Sequence, residues 1–115
     1  MSGDPPHPGI RWTVRDRYGN EIYLTHERWE HIIEADNHPE MAELEAEIRA
    51  TTVRGRRQRA PGHPEKFIYA MAFNNLPFGA SHIEVVVLFR SEYDGELQQR
   101  VKNNFVLTAY LSIPW

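Results

Sequence analysis

Apolar and polar residues alternate in two short segments near the start of the chain. The alternation covers residues 10–14 and residues 22–24, and Arg, Tyr, Gly and Asn at positions 17–20 supply turn residues between them. Period-two alternation on both sides of a turn predicts a β-hairpin. Residues 1–9 are rich in Pro and Gly and offer no apolar cluster to bury, so we expect a flexible N-terminal tail.

Helical spacing of apolar residues follows the hairpin. Thr25 is a good N-cap for a helix to about residue 35, whose buried stripe is expected to contain Trp29, Ile32 and Ile33. Pro39, a favoured first-turn residue, predicts the start of a second helix that ends near Thr51. The apolar side chains at helical spacing in this second helix are Met41, Leu44 and Ile48.

The second half of the chain favours β-structure. Residues 67–73, 82–89 and 104–111 are β-rich segments separated by turn signals, and the Arg-rich residues 54–59 fit a solvated edge strand. We therefore predict an α+β fold, with an N-terminal β-hairpin and two helices followed by a three- to four-stranded antiparallel β-sheet. Residues 10–115 are expected to form a single domain, because a chain of 115 residues suits one hydrophobic core.

Composition narrows the possible chemistry. The chain has no cysteine, which excludes disulfides, thiolate nucleophiles and thiolate zinc sites. The longest apolar run, around residues 85–89, is too short to cross a bilayer, and the first residues lack the basic and apolar regions of a signal peptide. We therefore expect a cytoplasmic protein that does not associate with membranes.

Charge divides the chain into two halves. Residues 1–48 carry 4 Lys and Arg against 11 Asp and Glu, whereas residues 49–115 carry 9 against 5. The total charge of -3 disfavours non-specific wrapping of nucleic acid. A local basic surface in the second half is still able to hold a phosphate chain, because the field at a site depends on the charges near it.

Histidines are the first candidates for chemistry. His26 and His31 approximate a zinc-protease motif, but their i, i+5 spacing separates the rings by about 140° on a helix, which predicts no shared metal ion. His31 falls at the border of the buried stripe, where a histidine suits proton transfer at neutral pH. The alternative for His31 is a hydrogen-bonded residue at the edge of the core, and the alternative for His38 is a residue that satisfies the start of the second helix.

Two further sets of polar residues are candidates for phosphate binding. Arg57 and Arg59 share one face if residues 54–59 are extended, and the guanidinium of arginine donates two hydrogen bonds to one phosphate group. Thr108 and Tyr110 lie two residues apart on one predicted strand, so they point to the same side, away from their apolar neighbours. A solvated edge strand and an ordinary outward face would give the same two patterns.

Four motifs follow one another along the chain: residues 22–32 (IYLTHERWEHI), 38–41 (HPEM), 83–89 (IEVVVLF) and 105–110 (FVLTAY). In this order they resemble the phage-associated branch of the barnase-EndoU-colicin-RelE-like (BECR) nuclease superfamily. The resemblance spans roughly residues 21–111. It implies an RNase-toxin-like domain, in which helices precede an antiparallel sheet.

The resemblance also implies a reaction. The implied reaction is cleavage of RNA without a metal ion or a cofactor. The ribose 2′-hydroxyl attacks the adjacent phosphate and the 5′-oxygen leaves. Such chemistry needs a base, an acid and hydrogen-bond donors to the phosphorane. The positions that match the family's polar motif residues are Arg28, His31, His38, Thr108 and Tyr110. Our hypothesis is that His31 transfers the proton and that Thr108 and Tyr110 position the phosphate. Arg28 and His38 are then expected to bind the substrate.

Arg57 joins this predicted site from the charge pattern alone, as the stabiliser of the phosphorane charge. On this interpretation the protein is a toxin or a phage or defence effector that acts on RNA, and an antitoxin or immunity protein would be its partner. The alternative is a catalytically inactive nuclease-like domain that binds protein or RNA within a larger complex. The acidic total charge and the apolar residues 113–115 favour this alternative, although Trp115 fits equally well when it is folded into the core.

Overall fold

A computed structural model of the chain describes residues 9–113. Its elements are β1 (Ile10–Arg15), β2 (Glu21–Thr25), α1 (His26–Ile32), α2 (Glu45–Arg54), β3 (Arg56–Ala60), β4 (His63–Ala72), β5 (His82–Asp94) and β6 (Gln99–Ser112), with 3₁₀ helices at Pro39–Glu43 and Pro77–Gly79. Within residues 9–113 no helix is long and apolar enough to span a bilayer. The predictions for the N-terminal tail, apart from Gly9, and for Trp115 fall outside the described residues.

The strands form one six-stranded sheet in the order β1-β2-β6-β5-β4-β3. Neighbouring strands are antiparallel except β2 and β6, which are parallel and place Tyr23 opposite Phe105. The α+β class is confirmed. The predicted three- or four-stranded antiparallel sheet was too small, because the N-terminal hairpin adds its second strand to the edge of β6 and makes the sheet mixed.

Thr25 caps α1 as predicted. Its hydroxyl oxygen accepts a hydrogen bond from the backbone N–H of Arg28 at 3.0 Å. The helix ends at Ile32 instead of residue 35, because the chain turns at Asn37, whose side-chain amide donates to the carbonyl oxygen of His31 at 2.7 Å. That hydrogen bond satisfies a carbonyl group that a longer helix would have used internally.

The predicted second helix is divided into a 3₁₀ helix and α2. Leu44 separates them with φ of -119°, outside the helical range. Both pieces keep the predicted apolar stripe, since Met41 and Ile48 are fully buried. Gly55 ends α2 where the chain passes so close to Thr51 and β4 that a Cβ atom would overlap the Thr51 carbonyl oxygen.

The two faces of the sheet have different neighbours. Helices α1 and α2 pack against one face, called the helix-covered face, whereas the other is called the open face. Val85 and Ala109 are paired in the sheet and fully buried on the helix-covered face, and the adjacent pair, Val86 and Thr108, is half-buried on the open face. The core of the helix-covered side contains Trp12, Val14, Ile22, Leu24, Trp29, Ile32, Met41, Ile48, Tyr69, Ile83, Val85, Val87, Val106 and Ala109.

A β-bulge in β6 sets the direction of the residues that follow it. Val87 pairs with Val106 but Val86 pairs with Thr108, which leaves Leu107 as the extra residue. Strict alternation from the buried Val106 would turn Thr108 inward. The bulge reverses the alternation, so Thr108 lies on the open face.

The turn of the first hairpin reaches the opposite edge of the sheet. The Asp16 carboxylate accepts hydrogen bonds from the Tyr69 hydroxyl and from the backbone N–H groups of Tyr18 and Asn20, at 2.9 and 2.7 Å for the two backbone groups. Arg57 Nη1 donates to the Tyr69 hydroxyl at 3.3 Å and lies 3.8 Å from the carboxylate. We call Asp16, Tyr69 and Arg57 the clasp, because they join the turn after β1 to β4 and β3.

The clasp has a defined charge state. Burial alone would raise the pKa of the Asp16 carboxyl, but the hydrogen bonds from Tyr69, Asn20 and Tyr18 hold that pKa below its ordinary value. Burial raises the pKa of the Tyr69 hydroxyl, and the hydrogen bond to Asp16 raises it further. At neutral pH the clasp is therefore an ionised carboxylate that accepts a hydrogen bond from a neutral phenol beside a guanidinium.

Candidate functional site

His31 and Arg28 belong to the helical layer. The His31 side chain is 55 % exposed, and its Nδ1 lies 3.1 Å from the Glu34 carboxylate on the same helix. Arg28 is half-buried one turn earlier. Within residues 9–113, no hydrogen bond or ring contact joins His31 to Thr108 or Tyr110.

Arg57 lies on the helix-covered face, where aromatic rings surround it. Its guanidinium carbon is 4.4 Å from the ring centroid of Tyr18, 4.3 Å from that of Phe67 and 5.2 Å from that of Phe89. This placement differs from the expectation that Arg57 and Tyr110 contact one phosphate, because the two residues point to opposite faces of the sheet. The role that the geometry gives to Arg57 is to stabilise the clasp by ion pairing and cation–π contacts.

The open face brings Tyr110 together with His38 and Glu84. The ring centroids of His38 and Tyr110 are 5.8 Å apart, and the Tyr110 hydroxyl donates to a Glu84 carboxylate oxygen at 3.2 Å. Glu84 lies directly opposite Tyr110 in the β5–β6 register. An imidazole, a phenol and a carboxylate therefore form a continuous polar group, which we call the His38–Tyr110–Glu84 cluster.

Backbone hydrogen bonds fix His38 at this position. Its N–H donates to the carbonyl oxygen of Ile32 at 2.9 Å, and its own carbonyl accepts from the N–H of Met41 at 3.0 Å. Met41 is fully buried and anchors the 3₁₀ helix beside β6. The imidazole is 33 % exposed, and its Nδ1 lies 3.7 Å from the Glu40 carboxylate. His38 is thus held at the sheet edge while its ring stays accessible to a ligand.

Burial and Glu84 set the protonation state of Tyr110. Partial burial raises the pKa of the Tyr110 hydroxyl, and the negative charge and hydrogen bond of Glu84 raise it further. Tyr110 therefore remains a neutral hydrogen-bond donor at neutral pH. Thr108, two residues earlier on the same face, adds a second half-buried hydroxyl.

A cleft continues from Glu84 across the open face. It has a volume of about 280 Å³ and extends over β6, β5, β4 and β3. Its polar lining includes Glu84, Arg56 and His82, and the hydroxyl of Ser81 holds the His82 ring through Nδ1 at 2.8 Å. The cleft thus adds a guanidinium and a second imidazole to the open face.

Sequence reasoning missed Glu84 and His82. Alternation in residues 82–89 separates them from the apolar Ile83, Val85 and Val87, and this signal could have placed both on an outward face. The register that brings Glu84 opposite Tyr110 depends on the bulge in β6, which no local sequence pattern marks.

Comparison with known proteins adds no assignment to this geometry. No protein family, no curated protein and no solved structure matches the chain. Among residues 9–113, no group of three or more His, Asp or Glu side chains is arranged to hold a metal ion.

Proposed function

We propose that the protein is a metal-independent endoribonuclease, a toxin or a phage or defence effector that acts on RNA in the cytoplasm. The observation that carries the proposal is the His38–Tyr110–Glu84 cluster, in which the Tyr110 ring centroid lies 5.8 Å from that of His38 and the Tyr110 hydroxyl donates to a Glu84 carboxylate oxygen at 3.2 Å. These are the groups that phosphoryl transfer to a 2′-hydroxyl needs: an acid, a base and a hydrogen-bond donor to the phosphate.

The reaction assigns one role to each group. The Glu84 carboxylate takes the proton of the 2′-hydroxyl as its oxygen attacks the phosphorus, and protonated His38 gives a proton to the 5′-oxygen as the P–O5′ bond breaks. When the phosphate binds, the single O–H proton of Tyr110 turns from Glu84 to a phosphate oxygen, which leaves the carboxylate free to act as the base. The Thr108 hydroxyl donates to a second phosphate oxygen, and Arg56 offsets the charge of the phosphorane. The products are a 2′,3′-cyclic phosphate and a 5′-hydroxyl end.

This proposal gives the proton-transfer role to His38, whereas the sequence alone assigned it to His31. The reason is distance from the phosphate-binding hydroxyls: His38 contacts the Tyr110 ring, and His31 is held by Glu34 on α1. The two assignments predict opposite results for one pair of variants, which makes them separable.

Incubation of purified protein with labelled RNA in EDTA, followed by analysis of the RNA ends, tests the proposal. We expect cleavage that leaves 2′,3′-cyclic phosphate, and rates about 10²- to 10⁴-fold lower in H38A and E84Q, because each removes a proton-transfer group. The matched control is H31A, which removes an exposed histidine and should cleave at the wild-type rate.

Three results would contradict this account at different levels. If several RNA classes stay intact at protein excess, the protein is not a ribonuclease. If H38A and E84Q cleave normally, the cluster is not the active site. If H31A alone abolishes cleavage, the assignment made from the sequence is right and the geometric one is wrong.

A second candidate is a binding module without catalytic activity, and the ribbon of residues 90–103 favours it. Pairing of β5 with β4 stops at Leu88, and β6 pairs with β2 at Phe105. Among residues 9–113, the segment of β5 after Leu88 and the segment of β6 before Phe105 therefore pair only with each other. Tyr93 and Leu97 are 63 % and 59 % exposed on this ribbon. This function predicts intact RNA and a stable co-purified partner that is lost when both side chains are replaced by Ser.

A further inference from the structure

We propose that the open-face cleft binds one unpaired nucleobase, that of the nucleotide whose 2′-hydroxyl attacks. This inference rests on the proposed ribonuclease function and adds a substrate subsite to it. The cleft volume of about 280 Å³ lies near the lower limit for ligand pockets, so it suits one ring system with part of its ribose.

The cleft has the two surfaces that recognition of a base needs. Ile68 and Ala70 form an apolar floor on β4, against which a flat ring can lie. Gln58 and Arg56 on β3 supply amide and guanidinium groups that can hydrogen-bond to the edge of a base. Single-stranded RNA is read by this combination of contact with the ring face and hydrogen bonds to the ring edge.

His82 gives the cleft a further flat surface. Its ring is half-buried and its Nδ1 is held by the Ser81 hydroxyl at 2.8 Å, so the imidazole does not rotate freely. Imidazole is one of the side chains on which unpaired RNA bases stack. A fixed ring loses little conformational freedom when a base packs on it.

Glu84 determines which nucleotide occupies the cleft. The same side chain lines the cleft and accepts the hydrogen bond of Tyr110 at 3.2 Å. A ribose whose 2′-hydroxyl approaches Glu84, and whose 3′-phosphate approaches Tyr110, therefore has its base on the cleft side. The base on the other side of the scissile phosphate would lie toward His38.

The test is a binding titration that does not depend on cleavage. Each of the four nucleoside 3′-monophosphates is added to 15N-labelled protein, with inorganic phosphate and nucleoside 5′-monophosphates as comparison ligands. We expect the amide signals of β3 and β4 around the cleft to move with at least one 3′-monophosphate, and the protein to bind it more tightly than its 5′-isomer.

Gln58→Ala is the informative variant, because Gln58 is exposed and its replacement leaves the core intact. It should weaken binding of that 3′-monophosphate by roughly 2- to 12-fold, the range expected for one lost hydrogen bond, and leave inorganic phosphate binding unchanged. Gln99→Ala is the matched control, because Gln99 is also exposed and lies at the start of β6, whereas the cleft residue Ser112 lies at the end of that strand. A second variant, Ala70→Phe, fills the floor and should abolish nucleotide binding.

The outcomes separate this inference from the proposed function. If RNA is cleaved but nucleotides shift only signals near His38, or if Gln58→Ala and Ala70→Phe bind like wild type, the cleft is not the base subsite. If 3′-monophosphates bind the cleft but no RNA is cut, the subsite stands and the ribonuclease proposal fails. Equal shifts with inorganic phosphate alone would also overturn the base subsite.

Discussion

The helix-covered face and the open face are formed by alternate residues of the same strands, yet they differ in what their polar groups do. Tyr69 on the helix-covered face donates its hydroxyl hydrogen bond to Asp16 in the turn after β1, a carboxylate that is 5 % exposed and also accepts from two backbone N–H groups. On the open face Glu84 is half-buried and accepts one hydrogen bond, from Tyr110. A carboxylate satisfied on all sides stabilises the fold, whereas one with free acceptor positions beside a cleft can bind a ligand.

The largest expected effect comes from removal of each of these two carboxylates. Asp16→Ala leaves the Tyr69 hydroxyl and the Arg57 guanidinium without their anionic partner, so it should lower the free energy of unfolding by about 3–5 kcal/mol. Glu84→Ala frees one half-buried hydroxyl and should cost about 1 kcal/mol. Urea denaturation of the two variants measures the difference, and equal losses would show that the faces do not divide stability and binding in this way.

Two glycines offer a second comparison, because Gly55 at the end of α2 is crowded and Gly95 is not. In Gly55→Ala the new methyl group overlaps the Thr51 carbonyl oxygen and lies 3.0 Å from that of Ala70, so we expect a loss of about 3 kcal/mol. At Gly95 a methyl group would have no neighbouring atom within 4 Å, and Gly95→Ala is the control that should change stability by less than about 0.5 kcal/mol. Thermal unfolding of both variants measures the two changes. If Gly55→Ala unfolded like the wild type, the chain would not pass as close to Gly55 as the structure has it.

Adjacent valines of β5 give a comparison within one strand. Val85 is fully buried on the helix-covered face and Val86 is half-buried on the open face. Replacement by Thr keeps the branched shape and adds a hydroxyl, which should cost about 2 kcal/mol at Val85 and less than about 0.5 kcal/mol at Val86. Chemical denaturation would contradict the assignment of faces if Val86→Thr were the more damaging change.

The smallest expected effect is a pH dependence of the clasp. Because the pKa of Asp16 in the folded chain lies below its ordinary value of 3.8, the stability it contributes is present above that pH and is lost as the pH falls through the lower value. The difference in unfolding free energy between wild type and Asp16→Asn should therefore shrink below pH 4. Asp36→Asn, at an exposed position, controls for the change in net charge. A difference that stays constant down to pH 2 would contradict the role of the ionised carboxylate.

Local patterns in the sequence were sufficient to predict most of the elements. The Thr25 cap, the first hairpin and the β-rich second half follow from residue type and spacing within a few positions. The break at Leu44 and the early end of α1 were missed, because tertiary contacts of buried Met41 and the Asn37 hydrogen bond decide them. Such contacts act after the local preferences and can override them.

The candidate site was less accessible to sequence reasoning, because it is assembled by long-range pairing. Tyr110 and His38 were both selected, but their contact depends on a loop that lies along the edge of β6. Glu84 joins them only because the bulge at Leu107 sets the register of β5 against β6. Arg57 was selected for its charge. Alternation along β3 does not say which of its two faces meets the helices, and that is known only from the pairing of Arg57 with the buried Tyr69.

The parallel pairing of β2 with β6 has a consequence for the nascent chain during translation. Tyr23 and Asn103 are 80 residues apart and share a hydrogen bond across these strands. At about 5–20 residues per second, a ribosome adds the 80 residues from Tyr23 to Asn103 in about 4–16 seconds, so the partner strand leaves the tunnel that much later than the first hairpin. During that interval Ile22 and Leu24, which are fully buried in the finished fold, lack the strand that completes their sheet. A chaperone that holds nascent chains should therefore contact this hairpin until the last strand is synthesised.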